Sequence, residues 1–302
     1  MIRSLTFCVA MASVWVVHSP CALAAGVPEC EPIRLASVKT DTMADGRITI
    51  PVTVQDRPLS FIVDTGGVST TIKWAQAKQL GLSVRQTSQK LQGIAGSLLN
   101  FYVTGDSVSV GDLRVKDLPM YLESRAMPDA DGTFAPDILK GYDVEFDFAH
   151  GVLNLLSPNH CHGQAVTWTK TGSLAIAIEV GRSGHVRIPV TLDGKSIMAT
   201  LDTGSATSWI SLKAAARLGI GPQTPGLALM QDAGEYQIYA YTFHALDFGG
   251  LSQMNPTIAI VSEKIAEGMG SDLILGIDVL RQMHLYIAYD EKKLYITEAQ
   301  AN

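Results

Sequence analysis

Polar and apolar residues alternate along Arg47-Ile48-Thr49-Ile50-Pro51-Val52-Thr53-Val54, the period-two pattern of a strand with one buried face. Gln55-Asp56-Arg57-Pro58 is expected to turn the chain, and Leu59 to Val63 is a short apolar run that ends on Asp64. The pattern then recurs in the second half. Ile188-Pro189-Val190-Thr191 repeats Ile50-Pro51-Val52-Thr53, Leu192-Asp193-Gly194-Lys195 supplies the turn, and Ala199-Thr200-Leu201 leads to Asp202. Asp-Gly between apolar runs is a strong hairpin signal. After each acid, a Ser/Thr-rich stretch ending at Ile72 or Ile210 predicts a further strand. Short helices are predicted over Lys73 to Gln79 and Leu212 to Arg217, with the glycines of Leu80-Gly81 and Leu218-Gly219 as C-caps. Strands resume beyond them, as at Ser107 to Val110 and Ala245 to Phe248.

The two halves are one unit written twice. Phe61-Ile62-Val63-Asp64-Thr65-Gly66-Gly67 matches Ala199-Thr200-Leu201-Asp202-Thr203-Gly204-Ser205 at an offset of 138 positions. The offset also aligns Gly46 with Gly184, Ala95-Gly96 with Ala233-Gly234, and Gly111 and Leu113 with Gly249 and Leu251. Later it slips by three residues, so that Asp137-Ile138-Leu139 matches Asp278-Val279-Leu280, with the insertion in the polar loop Ser124 to Gly132. Predominant strand, one small helix per half and duplication predict an all-β protein of two similar lobes. The division read from the sequence is 1–24 as a signal peptide, 25–156 and 173–302 as the lobes, and 157–172 as the linker.

The 302 residues suffice for two cores, and 47% hydrophobic content is that of a globular protein. The net charge of −6, with no basic run, argues against a nucleic-acid partner. At the N-terminus, Arg3 precedes an apolar run from Leu5 to Val17, and Ala22-Leu23-Ala24 offers a signal-peptidase site. The run is too short to span a bilayer as a helix. Export to the periplasm or the medium is therefore expected, with an uncleaved N-terminal anchor as the alternative. No later segment reaches the ~18 uninterrupted apolar residues of a spanning helix, so no membrane anchor is expected after cleavage. Cleavage would remove Cys8 and Cys21 and leave Cys30 and Cys161, which are expected to pair in an oxidising compartment. His160-Cys161-His162 lacks a second ligand pair at a standard spacing, so no metal is expected.

A lone Asp-Thr-Gly is weak evidence, but two in one register place an acid at the same point of each lobe. Paired carboxylates are a tool of acid–base chemistry. The chain lacks a Gly-x-Ser-x-Gly elbow, a His-Glu-x-x-His pair and a phosphate loop, and Gly219-Ile220-Gly221 has no third glycine. From about Ser37 to Ile296 the sequence resembles aspartic peptidases of the pepsin and retroviral-protease group. With two short lobes fused in one chain, it resembles retroviral-like aspartic peptidases found in bacteria.

That resemblance implies two retropepsin-like β-barrel lobes, a monomer, a peptide or protein substrate, and no cofactor. It makes Asp64 and Asp202 the catalytic pair, sharing one proton and activating one water between them. Thr65 and Thr203 would bond across to the opposite loop, and Gly66 and Gly204 would let backbone approach carboxylate. Ser205 and Gly276, the latter in Ile274-Leu275-Gly276, match the family's supporting positions. The first half departs from the family. Ala135 of Thr133-Phe134-Ala135 stands where a glycine is expected, and Gly67 where relatives carry a small side chain. The extra methyl is expected to strain the first loop unless that loop has adjusted. Gly93-Ile94-Ala95-Gly96 and Gln231-Asp232-Ala233-Gly234 resemble the tips of substrate-covering flaps, or are plain hairpin turns. Two further readings therefore stand beside an active endopeptidase: a peptide-binding or regulatory module that does not cleave, and a processing enzyme for one partner protein.

Overall fold

Both alternating segments fold as antiparallel hairpins, Ile48–Val54 with Arg57–Val63 and Val186–Leu192 with Lys195–Leu201. In each, the two turn residues take left-handed backbone angles: Gln55 and Asp56 at φ 48 and 64, Asp193 and Gly194 at φ 48 and 75. Such a turn has the twist of the strands it joins. Arg57 and Pro58, expected in the turn, instead begin the returning strand. Ile48, Ile50, Val52 and Val54 face the core while Pro51 is exposed, as the alternation requires.

In this computed structural model the described residues are 32–92, 98–124, 129–161, 163, 166–169, 172–266 and 271–300. The expected signal peptide, Cys30 and the flap positions Gly93, Ile94, Ala95 and Gly96 lie outside them. The protein is all-β, with helices at Trp74–Gln79 and Leu212–Arg217 at the predicted places. Three further single turns of helix, Pro136–Leu139, Glu263–Ala266 and Ile277–Leu280, were not foreseen. Four residues are too few to display a helical period. Among the described residues, no helix is long and apolar enough to cross a membrane.

The feature that positions the site is a threaded strand in each lobe. Gly132–Phe134 lies between Arg57–Val63, to which it runs parallel, and Thr71–Lys73, to which it runs antiparallel. Leu273–Leu275 lies in the same way between Lys195–Leu201 and Trp209–Ser211. The loop carrying each aspartate connects two strands that are both bonded to this third one. Each loop is pinned to that strand at its aspartate, with Asp64 N donating to Phe134 O at 3.0 Å and Asp202 N to Leu275 O at 2.9 Å.

A six-stranded sheet joins the lobes, in the order Arg34–Lys39, Val152–Leu156, Asp143–Asp147, Met283–Ala288, Lys293–Glu298, Leu174–Ala177. Three strands come from each half, and the halves meet where Val144, Glu145 and Phe146 pair with Ile287, Tyr286 and Leu285. One face sends Val144, Phe146, Leu153, Leu155, Leu285, Ile287, Leu294 and Ile296 into the main core. The other face mixes polar residues with a small apolar cluster of Leu156, Tyr286, Ala288 and Tyr295, and it too is covered. Asp143, Glu145 and His284 are buried there, His160 bonds Asp143 at 2.6 Å, and Trp168 stacks on His284 at 4.2 Å.

Candidate active site

The loops 64–67 and 202–205 meet between the lobes. Thr65 and Thr203, both buried, each bond the other's loop twice. Thr65 N donates to Thr203 Oγ1 at 3.1 Å and Thr203 N to Thr65 Oγ1 at 3.0 Å. Their hydroxyls donate onward to Leu201 O at 2.8 Å and Val63 O at 2.7 Å. Every donor and acceptor in this crossing is satisfied within the protein, which holds the two loops in one relative position.

Asp64 and Asp202 thereby face one another and hydrogen-bond through their side chains. Gly66 N donates to Asp64 Oδ1 at 3.1 Å, and Gly204 N and Ser205 N donate to Asp202 Oδ1 at 2.9 and 3.0 Å. A Cβ on Gly66 would collide with the Asp202 carboxylate, and one on Gly204 with the Asp64 carboxylate. Only glycine leaves room for the acids to be this close. Burial above all, and then the charge of Asp64, hold the Asp202 carboxyl well above the usual carboxylate range, partly opposed by the Gly204 and Ser205 amides. Two carboxyls in this setting retain one proton between them.

A further ring of residues holds the loops from below. Asp137 accepts from Ser69 Oγ, Thr70 N and Thr70 Oγ1 at 2.9, 2.9 and 2.8 Å, and Thr70 Oγ1 accepts from Ala135 N at 3.2 Å. The second lobe repeats this. Asp278 accepts from Ser208 N and Oγ at 2.9 and 2.7 Å, and Ser208 Oγ accepts from Gly276 N at 2.9 Å. Thr70, Asp137, Ser208 and Asp278 were not singled out from the sequence as site residues. Their signal was present in the duplicated Asp-apolar-Leu and in the hydroxyl at corresponding places.

The departures in the first half form a reciprocal exchange. A Cβ on Gly67 would stand 2.9 Å from Asp64 Oδ2 and 3.2 Å from the methyl of Ala135. In the second half Ser205 keeps its side chain, with Oγ donating to Thr207 O at 2.9 Å, and a Cβ on Gly276 would stand 2.6 Å from Thr207 C. Each half thus has one Cβ at this contact, on opposite partners. Ala135 is fully buried in ordinary extended backbone, at φ −117 and ψ 174, so the first loop has adjusted to its methyl.

Ala233 and Gly234 lie at the tip of the hairpin Ala228–Ala233 with Tyr236–Thr242. The first strand of that hairpin is exposed throughout, with Leu229 and Met230 turned to solvent. Its counterpart at Gly93 to Gly96 is outside the described residues. Cys161 is disulfide-bonded, and Cys30, the partner expected from the sequence, is also outside them.

A family profile described as aspartyl protease matches residues 50–134 and, separately, residues 188–279. Each match starts in the first hairpin of a lobe, passes through its Asp-Thr-Gly loop and reaches the threaded strand beneath. Comparison with curated proteins returns no match. The two matches together span more than half of the chain and take in both facing aspartates, so the chain belongs to the aspartyl protease family.

Proposed function

We propose that the protein is an exported, monomeric aspartic endopeptidase that cleaves extended peptides between its lobes, without a metal or cofactor. The observation that carries this reading is the pair of facing carboxylates, Asp64 and Asp202, locked by the crossed threonine bonds. One carboxyl of the pair holds the shared proton and the other, ionised, is the base. The base takes a proton from a water as its oxygen attacks the scissile carbonyl carbon, and the protonated partner donates its proton to the carbonyl oxygen. The neutral diol then collapses. The former base passes its proton to the amide nitrogen, the C–N bond breaks, and its partner recovers a proton from a diol hydroxyl. The pair ends as it began. The hairpin around Ala233 and Gly234, with its counterpart at Gly93 to Gly96, would close over the peptide and exclude water. A Cys30–Cys161 bridge would tie the N-terminal arm to the linker, in keeping with export.

The test incubates the mature protein with a mixed peptide library from about pH 3 to 7, the range in which such pairs titrate. Cleavage is expected in the wild type. It should fall by roughly 10³-fold or more in Asp64→Asn and Asp202→Asn, and little further in the double variant, because the two acids act as a unit. Cleavage that persists in both single variants would refute the assignment. Peptide binding without cleavage would mark a binding module, and cleavage of a single protein alone a dedicated processing enzyme.

A further inference from the structure

The two aspartate loops differ in the donor that holds one backbone carbonyl. In the second lobe, the carbonyl of Ser205 accepts from the backbone N–H of Ile277 at 2.9 Å, which ties the loop to the helical turn beneath it. The corresponding residue in the first lobe, by the match of Asp137 with Asp278, is Pro136. Proline has no N–H, so that turn offers Gly67 O no equivalent bond. The donor comes from the other lobe instead, with His185 Nε2 standing 3.0 Å from Gly67 O. A carbonyl can only accept, so Nε2 carries the hydrogen.

The approach is built in. Gly184, buried and at φ +88, packs against Pro136, where a Cβ would come within 2.8 Å of the proline ring, and this sets His185 directly over the first loop. Arg47 occupies the equivalent place in the first lobe, after Gly46 at φ +88. Its Nη1 reaches Gly204 O at only 3.5 Å, while Nε and Nη2 hold Asp45 at 2.9 and 2.7 Å. The second loop already has Ile277 N–H and the Ser205 hydroxyl, and needs little from Arg47. The first has neither, because residue 67 is glycine and residue 136 is proline.

We propose that His185 is the positioning residue of the Asp64 half-site, supplying across the lobe interface the hydrogen bond that Pro136 removes. This rests on the peptidase reading for its catalytic consequence, though not for its geometry. Gly67 lies against the Asp64 carboxylate, and its neighbour Gly66 donates to Asp64 Oδ1. With its carbonyl held, the Gly67-Val68 peptide keeps one orientation, so Gly67 stays in place against the Asp64 carboxylate and the carboxylate keeps its plane relative to Asp202. Released, a glycine with no side chain has the freedom to rotate.

The experiment compares His185→Ala, His185→Gln and the double variant His185→Ala/Pro136→Ala with the wild type, all as the full mature chain. The glutamine amide can reach the same carbonyl, and alanine at 136 restores the backbone donor found in the second lobe. On a peptide the wild type cleaves, His185→Ala should lose at least about tenfold in kcat with KM little changed, as a small misplacement of a catalytic group does. Both His185→Gln and the double variant should recover most of that loss. Amide hydrogen exchange at Gly66 to Val68 should rise in His185→Ala and return toward wild type in the other two. Wild-type kcat and exchange in His185→Ala would overturn the proposal, as would a loss that neither donor-restoring variant repairs. Should the wild type cleave nothing, the peptidase reading fails, and the exchange pattern by itself decides the role of His185.

Discussion

Gly276→Ala and Ala135→Gly are the same exchange made in opposite directions at corresponding places, and they are expected to behave very differently. In Gly276→Ala the new methyl would lie 2.6 Å from Thr207 C, 2.7 Å from Thr207 O and 2.9 Å from Ser205 O, where ordinary contact begins at 3.4 Å. All three atoms are backbone, and the segment is clamped by Ser208 Oγ on Gly276 N and by Ile277 N on Ser205 O. No side chain can swing aside, so the cost belongs at the upper end of the ~1–3 kcal/mol typical of overpacking. At roughly 2–4 °C per kcal/mol for a chain of this size, the unfolding midpoint should fall by about 6–12 °C. Peptide cleavage should fall with it, because Ser205 N is a ligand of Asp202. Ala135→Gly instead removes one buried methyl, costing ~0.8 kcal/mol, and adds ~0.5–1 kcal/mol of backbone freedom. It leaves the loop in place, so activity should be retained. Thermal unfolding and initial cleavage rates of the two variants check this. A Gly276→Ala protein as stable as wild type would refute the steric argument. An Ala135→Gly protein more stable than wild type would show that the first half-site had been strained after all.

Thr203→Val leaves Thr65 N and Val63 O buried without partners. At ~1–3 kcal/mol for each orphaned group, denaturant unfolding should show a loss of roughly 2–6 kcal/mol. Asp202→Asn should stabilise the fold near neutral pH while abolishing cleavage. A carboxyl whose folded pKa is raised favours its neutral form in the fold. Its contribution is therefore present below its ordinary value and lost as pH rises through the raised one. Unfolding of wild type and variant at pH 4 and pH 8 should show the variant's advantage only at the higher pH, and an advantage at pH 4 alone would contradict the sign.

Much of this was legible in the sequence because it is local or repeated. The hairpins follow from period-two alternation closed by turn residues, and the aspartates declare themselves by recurring in register. What escaped falls into three kinds. The turns Pro136–Leu139 and Ile277–Leu280 are too short to show a period. Asp137 and Asp278 sit in the repeat, yet their role as acceptors beneath the loops depends on threading a strand from 60 or more positions away. Arg47 and His185 occupy equivalent places with unlike side chains, so a search for identities passes over them. The polar residues Asp143, Glu145 and His284 alternate with core positions and read as a solvated strand face. They are covered from a distance in sequence, with His160 on Asp143, His284 on Glu145 and Trp168 stacked on His284, a long-range packing fact that no local pattern carries.

The sheet beneath the lobes has a consequence for how the chain holds together. Its strand order is palindromic, three strands of one half followed by three of the other, and within this sheet the halves join where Asp143–Asp147 meets Met283–Ala288. Cut at the linker, each half would present that strand as a bare edge, with its backbone donors and acceptors unpaired. The two edges are complementary to one another and, by the duplication, nearly complementary to themselves. The covalent connection therefore acts as a tether that raises local concentration. Co-expressed halves should find each other and rebuild the interface, while a half expressed by itself should pair with its own copy or aggregate.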